Sequence, residues 1–97
     1  MASLIGSQIY TGAFPVTPSD TLNISSDAGN PNPSQIRAVI LHNPSAGATV
    51  RVIPAEGISP ITIFIPQGGE SKILVRQVFA TSPVPPAGLV AYFGGTK

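Results

Sequence analysis

The residues with reactive side chains are few in this sequence and lie far apart along the chain. It contains one histidine, His42, and no cysteine. Its four carboxylates occupy separate turns or strand starts, at Asp20, Asp27, Glu56 and Glu70. General acid–base catalysis needs paired groups, and a hydroxyl nucleophile needs an adjacent base, so the sequence predicts no catalytic residues and a protein that is not an enzyme.

Metal, cofactor and nucleic-acid sites are not expected either. One histidine and scattered acids match no known ligand spacing for zinc or calcium. Gly68-Gly69 lacks the strand–GxGxxG–helix context of a nucleotide-binding loop. The five lysines and arginines, with a net charge of +1, are too few and too dispersed to form a strong phosphate-binding surface.

The stretch TPSD at residues 17–20 has the chemistry of a helix start, with threonine as N-cap and proline at the first helical position. The apolar alternation that follows instead favours a strand over residues 21–24. We therefore expect Pro18, Ser19 and Asp20 to form a structural turn whose side chains accept backbone N–H bonds. A nucleophilic role for this serine and aspartate has no base within sequence reach.

Composition predicts one small domain that functions in contact with other proteins. The chain has 97 residues, of which 42% are hydrophobic and 9% are charged, against about 25% charged in a typical soluble domain. Such a surface is poorly solvated in a free monomer, so we expect a symmetric homo-oligomer. The apolar runs are too short to span a membrane, and residues 1–5 lack the basic start of a signal peptide.

Short segments rich in isoleucine and valine alternate with proline- and glycine-containing turns, which is typical of strands. This pattern predicts an all-β fold, a single small antiparallel β-sandwich or barrel. In the longest segment, alternation places Leu74 and Val78 on the face opposite Val75. The expected strands are residues 36–42, 49–53, 61–65, 70–81 and 88–93.

Two segments lie outside this ladder of strands. Residues 1–14 are apolar without a regular period, so we expect an extended N-terminal arm that precedes a β domain of residues 15–97 and either adds an edge strand or docks on a neighbouring subunit. Residues 25–35 form a long loop, expected to be mobile or functional. Mid-strand arginines are expected to be solvated, to pair with Glu56 or Glu70, or to anchor an interface. The candidate interface residues are Leu4, Ile5, Ile9, Tyr10, Phe14, Arg51 and Arg76.

The order of several landmarks carries a resemblance to a known family. These landmarks are TPSDT at 17–21, a hairpin at 36–54, an apolar strand at 61–65, KILVRQVFAT at 72–81 and GLVAYF at 88–93. In this order they resemble the head-spike base proteins of tailed phages and gene transfer agents, and the resemblance extends over residues 14–93. The chain departs from the family pattern in its longer loop at residues 30–33 and in the prolines of residues 83–86.

The resemblance implies a small β domain on the exterior of a virion head, made in the host cytoplasm and placed at a capsid vertex as the base of a spike or fibre. The implied partners are the major capsid protein and the spike or fibre protein, with the chain forming a pentameric ring or, alternatively, a trimer. A capsid cement protein has the same composition. A carbohydrate- or receptor-binding module is less favoured, because Tyr10 and Tyr92 are the only tyrosines and tryptophan is absent.

Overall fold

The computed structural model describes Tyr10 and residues 12–94. This part of the chain contains six β-strands and a short 3₁₀ helix at Ile24–Ser26. The predicted all-β fold is therefore confirmed. The strands are β1 (Gly12–Pro15), β2 (Ile40–His42), β3 (Ala48–Pro54), β4 (Ile61–Ile65), β5 (Val75–Val78) and β6 (Val90–Phe93).

The strands form two antiparallel sheets that share one connecting segment. The first sheet has the order β1-β6-β2 and the second has the order β4-β3-β5. Residues 69–75 run beside β2 before β5 enters the second sheet, and Val39 and Val75 exchange backbone hydrogen bonds of 3.0 and 2.9 Å. Within this segment Lys72 has a φ of +66°. The chain passes from one sheet to the other at Val75, which pairs with Val39 and also with Pro54 of β3.

The core lies between the two sheets and follows the alternation of side chains along the strands. In β3, Val50 and Val52 are fully buried, whereas Arg51 between them is half-buried on the opposite face. Ile65 at the end of β4 is also fully buried. The core is completed by Phe14, Ile24, Ile36, Val39, Leu41, Val75, Val78, Leu89 and Ala91.

The strand expected over residues 70–81 is much shorter, and its predicted faces are wrong. β3 and β5 pair Ile53 with Gln77 and Pro54 with Val75, so β5 has one extra residue, Arg76, opposite that step. A β-bulge of this kind shifts the alternation by one residue. Val78 therefore lies in the core with Val75, while Leu74 is exposed.

Other strand boundaries also differ from the prediction. β2 begins at Ile40 instead of residue 36, because the amides of Gln35 and Ile36 bond back to the Asn32 carbonyl in a turn. β1 covers Gly12–Pro15, so residues 12–14 of the predicted arm belong to an edge strand of the domain. The rest of the arm, except Tyr10, lies outside the described residues.

Asn43 is a fully buried polar residue at the end of β2. Its side-chain amide donates to the carbonyls of Ala46 and Ile65, each at 3.0 Å, and its side-chain oxygen accepts from the amide of Ser45 at 2.9 Å. Its backbone N–H and C=O pair with residues 69 and 68 at 3.0 and 2.6 Å. One side chain and its backbone therefore join β2, the following turn, the end of β4 and the connecting segment.

The long loop at residues 25–35 is anchored by side chains of its own. Asp27 is buried, and one carboxylate oxygen accepts the backbone N–H of Thr17 at 2.8 Å. The other oxygen accepts the backbone N–H two residues further on, also at 2.8 Å. The carboxylate thus ties the start of the loop to the chain that follows β1.

Asn30 holds the middle of the same loop. Its buried side-chain amide donates to the carbonyls of Ile24 and Ile36 at 3.0 and 2.8 Å, and its oxygen accepts from the amide of Asn32 at 2.9 Å. Because Ile24 and Ile36 are core residues, this asparagine connects the loop directly to the core. The sequence pattern of turn-forming residues did not indicate these anchors.

We predict that Asn43→Ala lowers the free energy of unfolding by about 2–3 kcal/mol, because it leaves buried polar groups without partners. Asn32→Ala is the matched control, since its exposed side chain accepts only a hydroxyl bond from Ser34; it should cost less than about 0.5 kcal/mol. Urea unfolding followed by circular dichroism measures both, and equal losses in the two variants would contradict the assignment.

Candidate interaction surface

The predicted interface residues of the arm are only partly within the described chain. Leu4, Ile5 and Ile9 lie outside it. Tyr10 lies beside Tyr92, with ring centroids 5.4 Å apart, and the Tyr92 ring stacks on His42 with centroids 5.5 Å apart. These three rings form a row across the outer side of the first sheet.

The position of Tyr10 in this aromatic row changes the pKa of its hydroxyl group. Burial raises the pKa of its hydroxyl, and the charge of Glu70 adds to the increase. Tyr10 is therefore an uncharged hydrogen-bonding group near neutral pH. A groove of about 550 Å³ lies beside it, with both Glu70 and Lys72 in its wall.

Phe14, predicted at an interface, is instead a core residue. It pairs with Ala91 in the register of β1 and β6, and its side chain is 4% exposed. Its ring centroid lies 6.1 Å from that of Phe93. Alternation along β1 turns this side chain inward, so Phe14 has no surface to offer a neighbouring subunit.

Arg51 lies on the outer face of the second sheet. Its guanidinium is 4.7 Å from the centroid of the Phe79 ring, a cation–π contact. The backbone carbonyl of Arg51 also accepts the amide of Phe79 at 2.9 Å. These contacts hold the chain that leaves β5 against β3.

Arg76 is the extra residue of the β5 bulge, and it is bound to the turn after β3. Its Nε and Nη2 atoms both donate to the carbonyl of Gly57, at 3.2 and 2.9 Å. These two hydrogen bonds fix the orientation of the planar guanidinium group and hold the turn in position. The structure places Arg51 and Arg76 in separate surroundings.

The predicted corner at Pro18, Ser19 and Asp20 contains two kinds of side-chain bond. The Ser19 hydroxyl accepts the amides of Thr21 and Leu22 at 3.1 and 3.0 Å, which takes these amides out of any strand ladder. No strand forms over residues 21–24, and the 3₁₀ helix begins there instead.

Asp20 acts over a long separation in sequence, not within its own turn. Its carboxylate accepts the amides of Ala80 and Thr81 at 2.9 and 3.2 Å and the Thr81 hydroxyl at 2.7 Å. The hydroxyl bond has the largest effect, and together with the two amides and the charge of Arg51 it outweighs desolvation and lowers the pKa of Asp20. Asp20 therefore anchors the chain that follows β5.

The largest departure from an ordinary surface is the number of exposed apolar side chains. Near β4, Ile58 is 87% exposed and Phe64 is 63% exposed, with Ile61 at 42%. The Phe64 ring also covers the turn after β2, where a Cβ at Gly47 would meet it at 2.9 Å. The other exposed large apolar residues are Leu22, Leu74 and Val84.

β4 is an edge strand that carries no charged residue. Its sequence is ITIFI, it pairs with β3 on one side, and among the described residues no other strand pairs with it. Pro60 and Pro66 stand immediately before and after it. We call this edge, with the side chains of Ile58, Ile61 and Phe64, the β4 surface.

Reactive groups are not brought together in the part of the chain that the structure describes. No group of three or more His, Cys, Asp or Glu side chains there could hold a metal ion. His42 stacks on an aromatic ring, and Asp20 and Asp27 accept bonds from the backbone. Among the same residues no helix has the length and hydropathy of a membrane span.

We predict that Asp20 makes stability depend on pH. Its pKa is lower in the folded state than its ordinary value of 3.8, so its stabilising effect is complete above that value and is lost as pH falls through the lowered pKa. Asp20→Asn should therefore have a lower urea midpoint than the wild type near neutral pH, and the difference should shrink below pH 3.8. Thr81→Val, which removes the hydroxyl donor, should reduce the same pH dependence; a difference that is constant with pH would be inconsistent with this role.

The chain matches no protein-family model, and neither curated proteins nor solved structures show significant similarity to it. The resemblance to head-spike base proteins therefore stays a prediction.

Proposed function

We propose that this chain is a non-enzymatic structural protein of a virion head. In this proposal it lies on the capsid exterior at a vertex, where it anchors a spike or fibre. Its partners are the major capsid protein and the spike or fibre protein. The order of the sequence landmarks within residues 14–93 is the basis of the family resemblance, and a small all-β domain is compatible with it.

The β4 surface is the observation that carries the proposal of a role in assembly. Natural proteins protect exposed sheet edges with charged residues, prolines, short strands, bulges or covering loops, because a free edge pairs readily with another strand. The prolines beside β4 lie at its two ends, so the residues between them have no charge or bulge to protect them. β4 has five residues and no charge, and the exposed apolar side chains beside it would lose contact with water on association. An edge of this kind fits strand addition by a partner or by a second copy.

The low overall charge of the chain also favours a role in assembly. A free monomer with 9% charged residues and a hydrophobic fraction of 42% has little to keep it from associating. The expected homo-oligomer, a pentameric ring or a trimer, would cover part of this surface. Contacts with the capsid would cover more of it.

Two alternatives remain as proposals. A capsid cement protein would use the same β4 surface at local symmetry axes to stabilise the shell. A carbohydrate- or receptor-binding module is favoured by one specific observation, the row of Tyr10, Tyr92 and His42, because aromatic faces and nearby polar groups bind sugars.

We predict that Thr62→Lys, at the exposed centre of β4, weakens self-association at least about tenfold, because it places like charges together across a symmetric contact. Thr62 is exposed but pairs with Arg51 across β3 and β4, so the new lysine should cost some stability, and circular dichroism checks that the variant is folded. Multi-angle light scattering over a concentration series measures the effect. Gln35→Lys adds the same charge on an exposed loop and should associate like the wild type; equal behaviour of the two variants would argue against the β4 surface.

The role itself is tested by reconstructing virions assembled with and without the chain. A spike base adds density at the vertices, and its removal should eliminate the spike or fibre. A cement protein adds density at other symmetry axes, and its removal should lower the stability of the shell. Particles in which the chain is absent from the head, with heads unaffected by its removal, would contradict both roles.

A further inference from the structure

A polar pocket of about 350 Å³ lies beside the 3₁₀ helix, at the edge of the second sheet. Residues from four separate stretches of the chain meet there. Its lining residues are Asn23, Ser25, Arg37, Ala38, Ala55 and Arg76. Two of these lining residues are arginines, and none of them is acidic.

Arg76 is held in place before any ligand binds. The β-bulge makes it the unpaired residue of β5, and bulges commonly redirect a side chain in this way. Two of its five N–H donors are used by the Gly57 carbonyl, which leaves three for another acceptor. The ordering cost for this side chain is therefore already met in the fold, which favours binding.

The other polar lining groups are also suited to an anion. Arg37 follows the core residue Ile36, lines the pocket and is itself exposed. Asn23 occupies the N-cap position of the 3₁₀ helix but makes no capping hydrogen bond with its side chain. Its amide and the Ser25 hydroxyl are donors of the kind that orient a bound oxyanion.

The remaining described cations have different surroundings. Lys72 lines its groove together with an acidic residue, Glu70. Arg51 lies over the Phe79 ring, and its charge adds to the Thr81 hydroxyl bond in lowering the pKa of Asp20. The pocket of Arg37 and Arg76 is distinguished by two cations with no acidic residue in the lining.

We propose that this pocket binds one small oxyanion, a carboxylate or a phosphate group, held by Arg37 and Arg76 and oriented by Asn23 and Ser25. Guanidinium groups bind both kinds of oxyanion through paired, charge-assisted hydrogen bonds. A carboxylate could come from an acidic residue of a partner, and a phosphate from the surrounding solution. This site does not depend on the proposed virion role, because it is argued from the pocket alone.

Nuclear magnetic resonance titration of the full chain at constant ionic strength tests the proposal. The ligands are inorganic phosphate, acetate and a short blocked peptide with a single glutamate, with chloride as the reference anion. Saturable shifts are expected for the amides of residues 23–25 and 37–38. Saturation by phosphate alone identifies phosphate as the ligand class, and saturation by acetate and the peptide identifies a carboxylate.

Two charge-removing variants complete the test. Arg37→Gln should weaken binding at least about tenfold, because it removes a charged hydrogen-bond donor to the oxyanion. Lys72→Gln removes one exposed cation from the other groove and should bind like the wild type. The amide spectrum reports whether each variant is folded. Shifts that do not saturate with any ligand, or that are weakened equally by both substitutions, would overturn the proposal.

Discussion

The buried side chain of Asn43 is the interaction on which the arrangement of the two sheets depends. The domain is made of strands of three to seven residues, and short strands alone provide few ladder hydrogen bonds. Asn43 supplies bonds where β2 ends, where the connecting segment begins and where β4 ends, at distances of 3.0 Å or less. A fully satisfied buried amide is specific as well as stabilising, because any other register would leave its donors and acceptors unpaired in the core. The buried side chains of Asp27 and Asn30 likewise fix the conformation of the long loop through their hydrogen bonds.

Changes in the direction of the chain place the polar and charged groups at the surface. The connecting segment runs beside the first sheet up to Val75, which is also the first residue of β5 in the second sheet. The bulge at Arg76 then turns the guanidinium towards Gly57 and leaves Val75 and Val78 in the core. In a regular strand Val75 and Val78 would lie on opposite faces of the sheet, and the extra residue places both on the core face. The pocket with Arg37 is a product of this irregularity.

The sequence predicted the regular parts of the fold well and the irregular parts poorly. The segment 61–65 coincides with β4, because its alternation is unbroken and prolines mark both ends. The segment 70–81 was misjudged because a bulge has no signature in residue types, and one extra residue exchanges the two faces. The sequence did not indicate that the loop at 25–35 is anchored, because aspartate and asparagine are common in turns whether or not they are buried. Arg37 and Arg76 are distant in sequence, so only the topology could reveal that they share a pocket.

The prolines that flank β4 have a consequence for how any assembly through this edge would form. Because proline has no N–H to donate, this edge can donate hydrogen bonds to an added strand only from the five residues between the prolines. Each hydrogen bond contributes about 0.5–1.5 kcal/mol net, whereas association costs at least about 4 kcal/mol, so a single edge contact of this length is weak. A misplaced subunit that makes one weak contact dissociates quickly. A correctly placed subunit contacts several neighbours at once and stays bound, because the local concentration of its partners is high. A short edge of this kind allows errors to be corrected before a closed assembly becomes durable.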